Sequence, residues 1–277
     1  MALVTGGGRG IGRVLARALS EAGAAVGLLG RSKEQLEETA GSIAKAGGVA
    51  CGVSADVTNA EAVAQAVREV TGQLGPISLL VNNAGIPGPV GVLWETDPEE
   101  WWHTSEVNLR GVFLCTRLVL PEMVASGRGR IINITSNAAV FRWPELSAYA
   151  VSKAAVVKLT ENLAAETARA GVSVFSVDPG FLRIGLTETA LAREAAEGSA
   201  HHRLAEWARQ QLAEGRDIDP ARAGDLVVQL AAGRGDALSG RHLSAEDDLD
   251  ALLEHIDEIK RLDLRTLRLR RIQPSSR

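Results

Sequence analysis

Tyr149 and Lys153 are the two side chains whose types and spacing most directly indicate chemistry. Four residues apart, they would lie on one face of a helix, about one turn from each other. The unperturbed pKa of tyrosine is about 10, so an isolated phenol is a poor acid or base at neutral pH. A nearby ammonium group favours the phenolate and lowers that pKa. We interpret the pair as a candidate acid–base centre; the alternative is a chance pattern on an exposed helix face.

A glycine-rich stretch near the N-terminus is a candidate phosphate-binding turn. It comprises Gly6, Gly8, Arg9, Gly10, Ile11 and Gly12. An apolar run at residues 2–5 precedes it, a helical pattern follows to about residue 22, and residues 25–29 form a second apolar run. In this strand–turn–helix–strand context, glycines let the backbone approach a pyrophosphate at a helix N-terminus. The alternative is a flexible turn that binds no ligand.

Arg31 and Ser32 follow the second apolar run. In dinucleotide-binding folds, an acidic residue at this point binds the ribose hydroxyls, whereas an arginine accommodates a 2′-phosphate. No acid is present here, and the guanidinium groups of Arg9 and Arg31 could both grip that phosphate. The pattern therefore predicts NADP(H) as the preferred cofactor, with NAD(H) as the second choice. The alternative is that both arginines are only solvated.

Apolar runs and helical patterns alternate along the rest of the chain, and residues 99–123 are predicted to form a helix. The further strands are expected at residues 49–54, 77–81, 130–135, 172–177 and 241–244. Strands that alternate with helices indicate a parallel sheet covered on both faces. We predict an α/β fold, a Rossmann-like doubly wound parallel sheet of about seven strands in a single domain. Ligands then bind at the carboxyl ends of the strands.

Composition and charge exclude several classes of protein. The chain has 277 residues, 45% of them hydrophobic, and its formal net charge of -4 gives no overall attraction to nucleic acid or anionic membranes. Cys51 and Cys115 are isolated, and the adjacent His201 and His202 would diverge on a helix, so no metal site is predicted. No apolar stretch reaches the roughly 18 residues of a membrane span, and we recognise no targeting signal. We therefore expect a cytoplasmic protein.

Several short motifs follow one another along the chain in a fixed order. Their residues are Thr5, Gly6, Gly10, Ile11, Gly12, Asp56, Asn82, Asn83, Ala84, Gly85, Asn108, Ser136, Tyr149, Lys153, Pro179 and Gly180. Over residues 1 to about 244, this set resembles the classical short-chain dehydrogenase/reductase family. The resemblance implies an NAD(P)-dependent oxidoreductase acting on CH–OH groups, which interconverts a secondary alcohol and a ketone as carbonyl reductases and 3-oxoacyl reductases do. It also implies a homodimer or homotetramer.

The resemblance further implies roles for individual residues. Tyr149 corresponds to the catalytic acid/base, and Lys153 to the group that lowers its pKa and holds the nicotinamide ribose. Ser136 corresponds to the donor that orients the substrate carbonyl, and Asn108 to a residue that holds a water molecule in a proton relay. The expected cofactor-lining residues beyond the glycine turn are Asp56, Val57, Asn82, Ala84, Gly85, Pro179, Gly180 and Leu182. The expected substrate-pocket residues are Ser136, Phe141, Trp143 and Tyr149.

Two features depart from the family pattern. Ile184 occupies a position where the family often has a threonine that hydrogen-bonds the nicotinamide carboxamide, so that contact would shift to Thr187 or to the backbone. The chain also continues beyond the last strand as an extension, residues 245–277, in which an acidic helix is followed by a basic arm from Lys260. We predict that the extension docks on the protein body or on a neighbouring subunit; contact of the arm with nucleic acid or anionic lipid is the alternative.

The segment at residues 186–215, which contains Trp207, is expected to form a mobile lid over the substrate. A function of another class also stays open, namely a non-catalytic dinucleotide-sensing regulatory or scaffold protein, because a fold alone does not fix function. The complete set of Asn108, Ser136, Tyr149 and Lys153 favours the enzyme, since a sensor has no need of it.

Overall fold

The computed structural model describes residues 1–269, whose centre is one parallel sheet of seven strands. The strands are β1 (Ala2–Thr5), β2 (Val26–Gly30), β3 (Ala50–Ser54), β4 (Leu79–Asn82), β5 (Gly129–Ile134), β6 (Val172–Asp178) and β7 (His242–Ser244). They are arranged in the order β3-β2-β1-β4-β5-β6-β7, and every pairing is parallel. The chain order therefore reverses between β1 and β4, and a crevice opens at the carboxyl ends of these two strands. The predicted fold class is confirmed.

Helices cover both faces of the sheet. They are α1 (Gly10–Glu21), α2 (Lys33–Lys45), α3 (Ala60–Leu74), α4 (Pro98–Ser105), α5 (Gly111–Ser126), α6 (Ser147–Thr167), α7 (Leu186–Ala192), α8 (Ala200–Ala213), α9 (Pro220–Ala231), α10 (Leu249–Glu254) and α11 (Ile256–Arg261). On one face, α1, α2 and α9 bury residues such as Leu15, Leu36 and Val227 against the strands. On the other face, α3, α5 and α6 bury residues such as Val63 and Val119. The strands themselves are continuous apolar runs because both of their faces are covered.

The helical segment between β4 and β5 differs from the prediction of a helix over residues 99–123. A π-helical turn, Glu106–Arg110, separates α4 from α5. Such a turn inserts an extra residue into the helix and redirects its side chains. It places Asn108 fully inside the protein, where it contacts the loop that follows β4.

The described part of the C-terminal extension packs on the sheet and contacts α6. Leu249 and Ile259 are buried in the same apolar cluster as the strands. The carbonyl of Arg265 accepts a hydrogen bond from the backbone N–H of His242 in the edge strand β7. The Arg265 guanidinium donates to both carboxylate oxygens of Asp247, at 2.5 and 2.7 Å.

The acidic part of the extension forms two short helices that meet at His255, and not one helix as its apolar spacing indicated. Residues 270–277, the end of the predicted basic arm, lie outside the described residues. None of the helices in residues 1–269 combines the length and the apolar character that a bilayer span needs.

Candidate active site

A cavity of about 940 Å³ lies at the carboxyl ends of β1, β4, β5 and β6. Most of the predicted site residues line it. They are Gly6, Gly8, Arg9, Gly10, Ile11, Gly12, Arg31, Ser32, Asp56, Val57, Ala84, Gly85, Ser136, Trp143, Tyr149, Lys153, Pro179, Gly180 and Leu182. Three predicted residues, Asn82, Asn108 and Phe141, are not among the residues that line the cavity.

The glycine turn forms one end of this cavity and packs too closely to hold side chains. A Cβ atom on Gly12 would lie 2.1 Å from the Gly6 carbonyl oxygen and 2.5 Å from Nδ2 of Asn83. Gly6 adopts a left-handed backbone conformation, with φ of 65°. The first turn of α1 contains no acidic residue, and no side chain caps its N-terminus. Its free N–H groups and the positive end of the helix dipole therefore fit a phosphate group.

Arg9 and Arg31 stand at the same end of the cavity, and both side chains are exposed. Among residues 1–269, neither guanidinium forms an ion pair or a side-chain hydrogen bond with a described group. Arg13, one turn further along α1, behaves differently because it pairs with Glu38 at 2.8 Å and donates to the carbonyl of Gly8. Arg13 thus has a structural role, whereas Arg9 and Arg31 present guanidinium groups to the cavity.

Asp56 lies near Arg31, just beyond the end of β3. Burial acts to raise the pKa of its carboxyl group, but hydrogen bonds from Thr58 and the charge of Arg31 hold that pKa below its usual value. The carboxylate is therefore ionised at neutral pH and orders the loop that enters α3.

Helix α6 carries Tyr149 and Lys153 into the middle of the cavity. The ammonium nitrogen of Lys153 lies 5.7 Å from the centre of the Tyr149 ring and donates a hydrogen bond to the Ile134 carbonyl at 2.9 Å. Only 4% of the lysine is exposed, and burial lowers its pKa to about 8. The lysine is therefore held in place by the end of β5.

Ser136, just beyond β5, stands next to the Tyr149 hydroxyl. Burial raises the pKa of Tyr149 to about 12; a hydrogen bond with Ser136 acts in the opposite direction, and the carboxylate of Asp178 adds to the rise. The net shift of this pKa is therefore upward, and the expected lowering by Lys153 stays a prediction. Desolvation is the largest influence, and the ammonium group interacts with a backbone carbonyl. The phenol is neutral at physiological pH.

The Asn108 side chain supports the cavity wall through hydrogen bonds inside the protein. Its Nδ2 donates to the Ile86 carbonyl at 2.9 Å and to Oγ of Ser152 at 3.0 Å, and its Oδ1 accepts from the Ile86 N–H at 2.8 Å. Both amide hydrogens are thus used within the protein. The side chain ties the loop after β4 to α6 and does not face the cavity, so a water-holding role for Asn108 stays a prediction.

The structure corrects the placement of Asn82 and Phe141. Asn82 belongs to β4 and its side chain points into the protein, where Nδ2 donates to Thr116 at 3.1 Å and to Asn133 at 2.8 Å. The next residue, Asn83, lies just beyond β4 and lines the cavity, and its Nδ2 donates to the carbonyl groups of Thr5 and Gly6 at 2.9 and 3.3 Å. Phe141 follows a short 3₁₀ turn, is 68% exposed and is not among the residues that line the cavity.

Three further residues line the cavity that the sequence motifs did not indicate, namely Asp178, Phe181 and Trp207. Asp178, at the end of β6, is buried and accepts a hydrogen bond from the Gly180 N–H at 3.1 Å. Burial raises the pKa of its carboxyl group to about 6, although the Gly180 and Asn137 N–H groups act in the opposite direction. Phe181 and Trp207 line the cavity together with Trp143. Aromatic residues make up 4% of the chain, and this rarity was the sequence signal that could have pointed to Phe181 and Trp207.

The predicted lid, residues 186–215, contains α7 and α8, and both helices contribute to the cavity wall. One ion pair holds this region to the body of the protein, and a second joins the two segments that flank it. Arg203 of α8 pairs with Glu145 in the loop before α6, and Arg183 pairs with Asp217 at 2.5 Å. Lid movement stays a prediction.

Comparisons with known proteins agree with this architecture. A family model described as short chain dehydrogenase matches residues 1–196. A short chain dehydrogenase from Pseudocercospora fijiensis is 36% identical over 261 residues, which cover 93% of this chain and 83% of the relative. A 3-oxoacyl-[acyl-carrier-protein] reductase from Synechocystis is 39% identical over 189 residues, 68% of this chain and 76% of the relative. The crystal structure of a variant actinorhodin polyketide ketoreductase with NADPH superposes with a TM-score of 0.80 at 32% identity and covers 88% of this chain and 94% of that one.

Proposed function

The chain belongs to the short-chain dehydrogenase family, and we propose that it is an NADP(H)-dependent oxidoreductase that interconverts a ketone and a secondary alcohol. One observation carries this proposal. The hydroxyl groups of Ser136 and Tyr149 stand together in the cavity, with Lys153 on the same helix as the tyrosine. The opposite end of the same cavity has the glycine turn and the guanidinium groups of Arg9 and Arg31.

The residues present fit a nicotinamide dinucleotide, because the glycine turn leads into the N-terminus of α1, whose first turn has no acidic residue and no side-chain cap. The first turn of α1 would hold the pyrophosphate, and Arg9 and Arg31 would hold a 2′-phosphate. Asp56 and Val57 would border the adenine. The residues expected beside the nicotinamide are Pro179, Gly180 and Leu182. The bound dinucleotide supplies or accepts the hydride.

In the reduction direction, Ser136 and Tyr149 donate hydrogen bonds to the carbonyl oxygen of the substrate, where negative charge develops. Tyr149 then gives its hydroxyl proton to that oxygen. Its pKa of about 12 keeps the phenol protonated, so the proton is available at neutral pH. The charge of Lys153 favours the phenolate that remains. In the oxidation direction, the neutral phenol of Tyr149 must first lose its proton, and the phenolate then accepts the proton from the alcohol.

The relatives support a carbonyl substrate of the 3-oxoacyl or related type. The Synechocystis relative is named as a reductase of 3-oxoacyl groups, and the structural neighbour is named as a polyketide ketoreductase. Both names describe reduction of a ketone. We propose the same reaction class for this chain, with a small-molecule alcohol or ketone as its partner.

Transfer of a labelled hydride tests this proposal. The protein is incubated with NADPH deuterated at C4 and a panel of ketones, and the products are analysed by mass spectrometry and NMR. We expect one deuterium atom on the carbinol carbon of the product, with an equal amount of NADPH consumed. Tight NADPH binding without transfer of deuterium to any ketone would support a dinucleotide-sensing function and contradict the proposed enzyme.

A further inference from the structure

Three aromatic rings meet in the cavity wall, each from a different segment of the chain. The ring centres of Trp143 and Trp207 lie 4.7 Å apart and their planes cross at 84°. Those of Phe181 and Trp207 lie 5.3 Å apart and cross at 70°. Trp143 lies in the loop before α6, Phe181 follows β6, and Trp207 belongs to α8. Tertiary folding therefore builds one aromatic wall, which consists of Trp143, Phe181 and Trp207.

The aromatic wall is not part of the hydrophobic core. The chain has five tryptophans and four phenylalanines. Of these nine residues, Phe175 alone belongs to the buried core of residues 1–269. The three wall residues are half-buried and border open space in the cavity. Neither Trp143 nor Trp207 donates an indole hydrogen bond to another described residue, whereas Trp101 donates to Ser147 at 3.0 Å. The three rings thus pack on one another and also line the cavity.

The position of the wall relates it to the catalytic groups. Trp143 precedes Tyr149 by six residues and reaches the same cavity. Phe181 directly follows Gly180, whose N–H donates to Asp178 beside Tyr149. Trp207 reaches the same cavity from α8 and packs on Trp143. A substrate whose carbonyl oxygen contacts Ser136 and Tyr149 would therefore place its neighbouring group against these rings.

We propose that the substrate is a ketone or alcohol with an aromatic or other planar ring next to its reacting carbon, and that Trp143, Phe181 and Trp207 bind that ring. This inference rests on the proposed function. Aromatic rings attract one another in edge-to-face and offset arrangements at centre distances of about 4.5–7 Å, the geometry that the wall already adopts. A rigid ring also loses less conformational freedom on binding than a flexible acyl chain does. The wall therefore determines specificity, while the chemistry stays with Ser136 and Tyr149.

The test compares two ketones that share one reacting group. Ethyl benzoylacetate has a phenyl ring beside the ketone, and ethyl 3-oxohexanoate has a propyl chain at the same position. We expect the wild-type protein to prefer the phenyl ketone. Trp207→Leu should lower kcat/KM for the phenyl ketone by about fivefold to tenfold, the size of one lost aromatic contact, and change the value for the propyl ketone by less than about twofold. Trp207→Phe, which keeps a ring, should restore most of the preference.

Trp94→Leu is the matched control, since Trp94 is 82% exposed and does not line the cavity. It should leave both kcat/KM values and the thermal unfolding midpoint unchanged. An equal loss for both ketones in Trp207→Leu, or a wild-type preference for the propyl ketone, would overturn the inference. The second result would indicate a flexible acyl chain as the natural group.

A binding measurement separates this inference from the proposed function. Dissociation constants of the two corresponding hydroxy esters are measured by calorimetry for the wild type, Trp207→Leu and Trp207→Phe. Suppose that neither ketone is reduced, but the phenyl compound binds more tightly to the wild type and loses that advantage in Trp207→Leu. The proposed function is then wrong, and ring binding by the aromatic wall is supported. If the ketones are reduced but the ratio of the two dissociation constants does not depend on Trp207, the proposed function is supported and ring binding by the aromatic wall is wrong.

Discussion

Lys153 lies 5.7 Å from the ring centre of Tyr149, and its ammonium group is hydrogen-bonded to the carbonyl of Ile134. The two residues share one face of α6, yet burial shifts their pKa values in opposite directions, to about 12 for the tyrosine and about 8 for the lysine. Burial disfavours the charged form of each group, which is the phenolate in one case and the ammonium in the other. Tyr149 is thus a neutral proton donor at physiological pH, as reduction of a ketone requires.

The pKa of Tyr149 can be measured directly because it is the one tyrosine in the chain. Protein labelled with ¹³C at the tyrosine ζ carbon should give a single NMR signal. We expect this signal to stay at the chemical shift of the protonated phenol up to at least about pH 10, the unperturbed pKa of tyrosine. A midpoint below about pH 9 would show that the charge of Lys153, and not burial, controls the phenol.

Arg31→Asp should shift cofactor preference from NADPH towards NADH. The substitution replaces a guanidinium group that can bind a 2′-phosphate by a carboxylate that repels it. A hydrogen bond to a charged group contributes about 1.5–3 kcal/mol, so the ratio of kcat/KM for NADPH to that for NADH should fall by roughly 10-fold to 100-fold. Arg17→Asp makes the same charge change on exposed α1 surface outside the cavity and should leave the ratio unaltered. Tighter binding of NADPH by Arg31→Asp would refute the proposed cofactor preference.

Gly12→Ala should disrupt the glycine turn. The added methyl group would lie 2.1 Å from the Gly6 carbonyl oxygen, so the turn and α1 would have to separate. We expect a loss of about 1–3 kcal/mol in the free energy of unfolding and a large loss of NADPH affinity, measured by urea denaturation and fluorescence titration. Gly41→Ala, at an exposed position of α2 with open space around it, should instead stabilise the protein by about 0.5–1 kcal/mol. Equal effects of the two substitutions would contradict this account of the turn.

Asp178→Asn should change how stability depends on pH. The folded-state pKa of Asp178, about 6, lies above its ordinary value near 4, so between these pH values the folded protein binds a proton that the unfolded chain does not. The free energy of unfolding contributed by this group is therefore highest below about pH 4 and falls as pH rises to about 6. Asparagine keeps an oxygen for the Gly180 N–H and does not titrate.

Relative to the wild type, the Asp178→Asn variant should gain on the order of 2 kcal/mol between about pH 4 and pH 6, and urea denaturation across this range measures the gain. His242 titrates in the same range with the opposite sign, because burial lowers its pKa to about 4. The comparison of variant with wild type removes that contribution. A stability difference that does not vary with pH would show that Asp178 titrates normally.

The sequence predicted the fold well because its signals are local. Apolar runs such as residues 2–5 and 172–177 mark strands buried on both faces, and the glycine turn marks the first crossover. The π-helical turn at Glu106–Arg110 has no such local signal in the apolar pattern, and the prediction of a continuous helix missed it. The break at His255 in the extension was missed for the same reason.

Within the site, motif order located the cavity residues, but side-chain direction and burial depend on the folded structure. Asn82 and Asn83 are neighbours in one motif, yet the side chain of Asn82 points into the protein and that of Asn83 binds the backbone of the glycine turn beside the cavity. The pKa of Tyr149 depends on desolvation, which residue spacing does not reveal. The aromatic wall joins three segments far apart in the chain, so only the tertiary structure brings Trp143, Phe181 and Trp207 together.

Substitution of Tyr149 by phenylalanine tests the central claim most directly, because it removes one oxygen atom and keeps the ring. The measurement pairs kcat for ketone reduction with the dissociation constant of NADPH in the wild type and in Tyr149→Phe. We predict that kcat falls by about 10²-fold to 10⁴-fold, the usual contribution of a positioned acid, while NADPH affinity stays within about twofold. A Tyr149→Phe variant that reduces ketones at the wild-type rate would contradict the role assigned to this tyrosine.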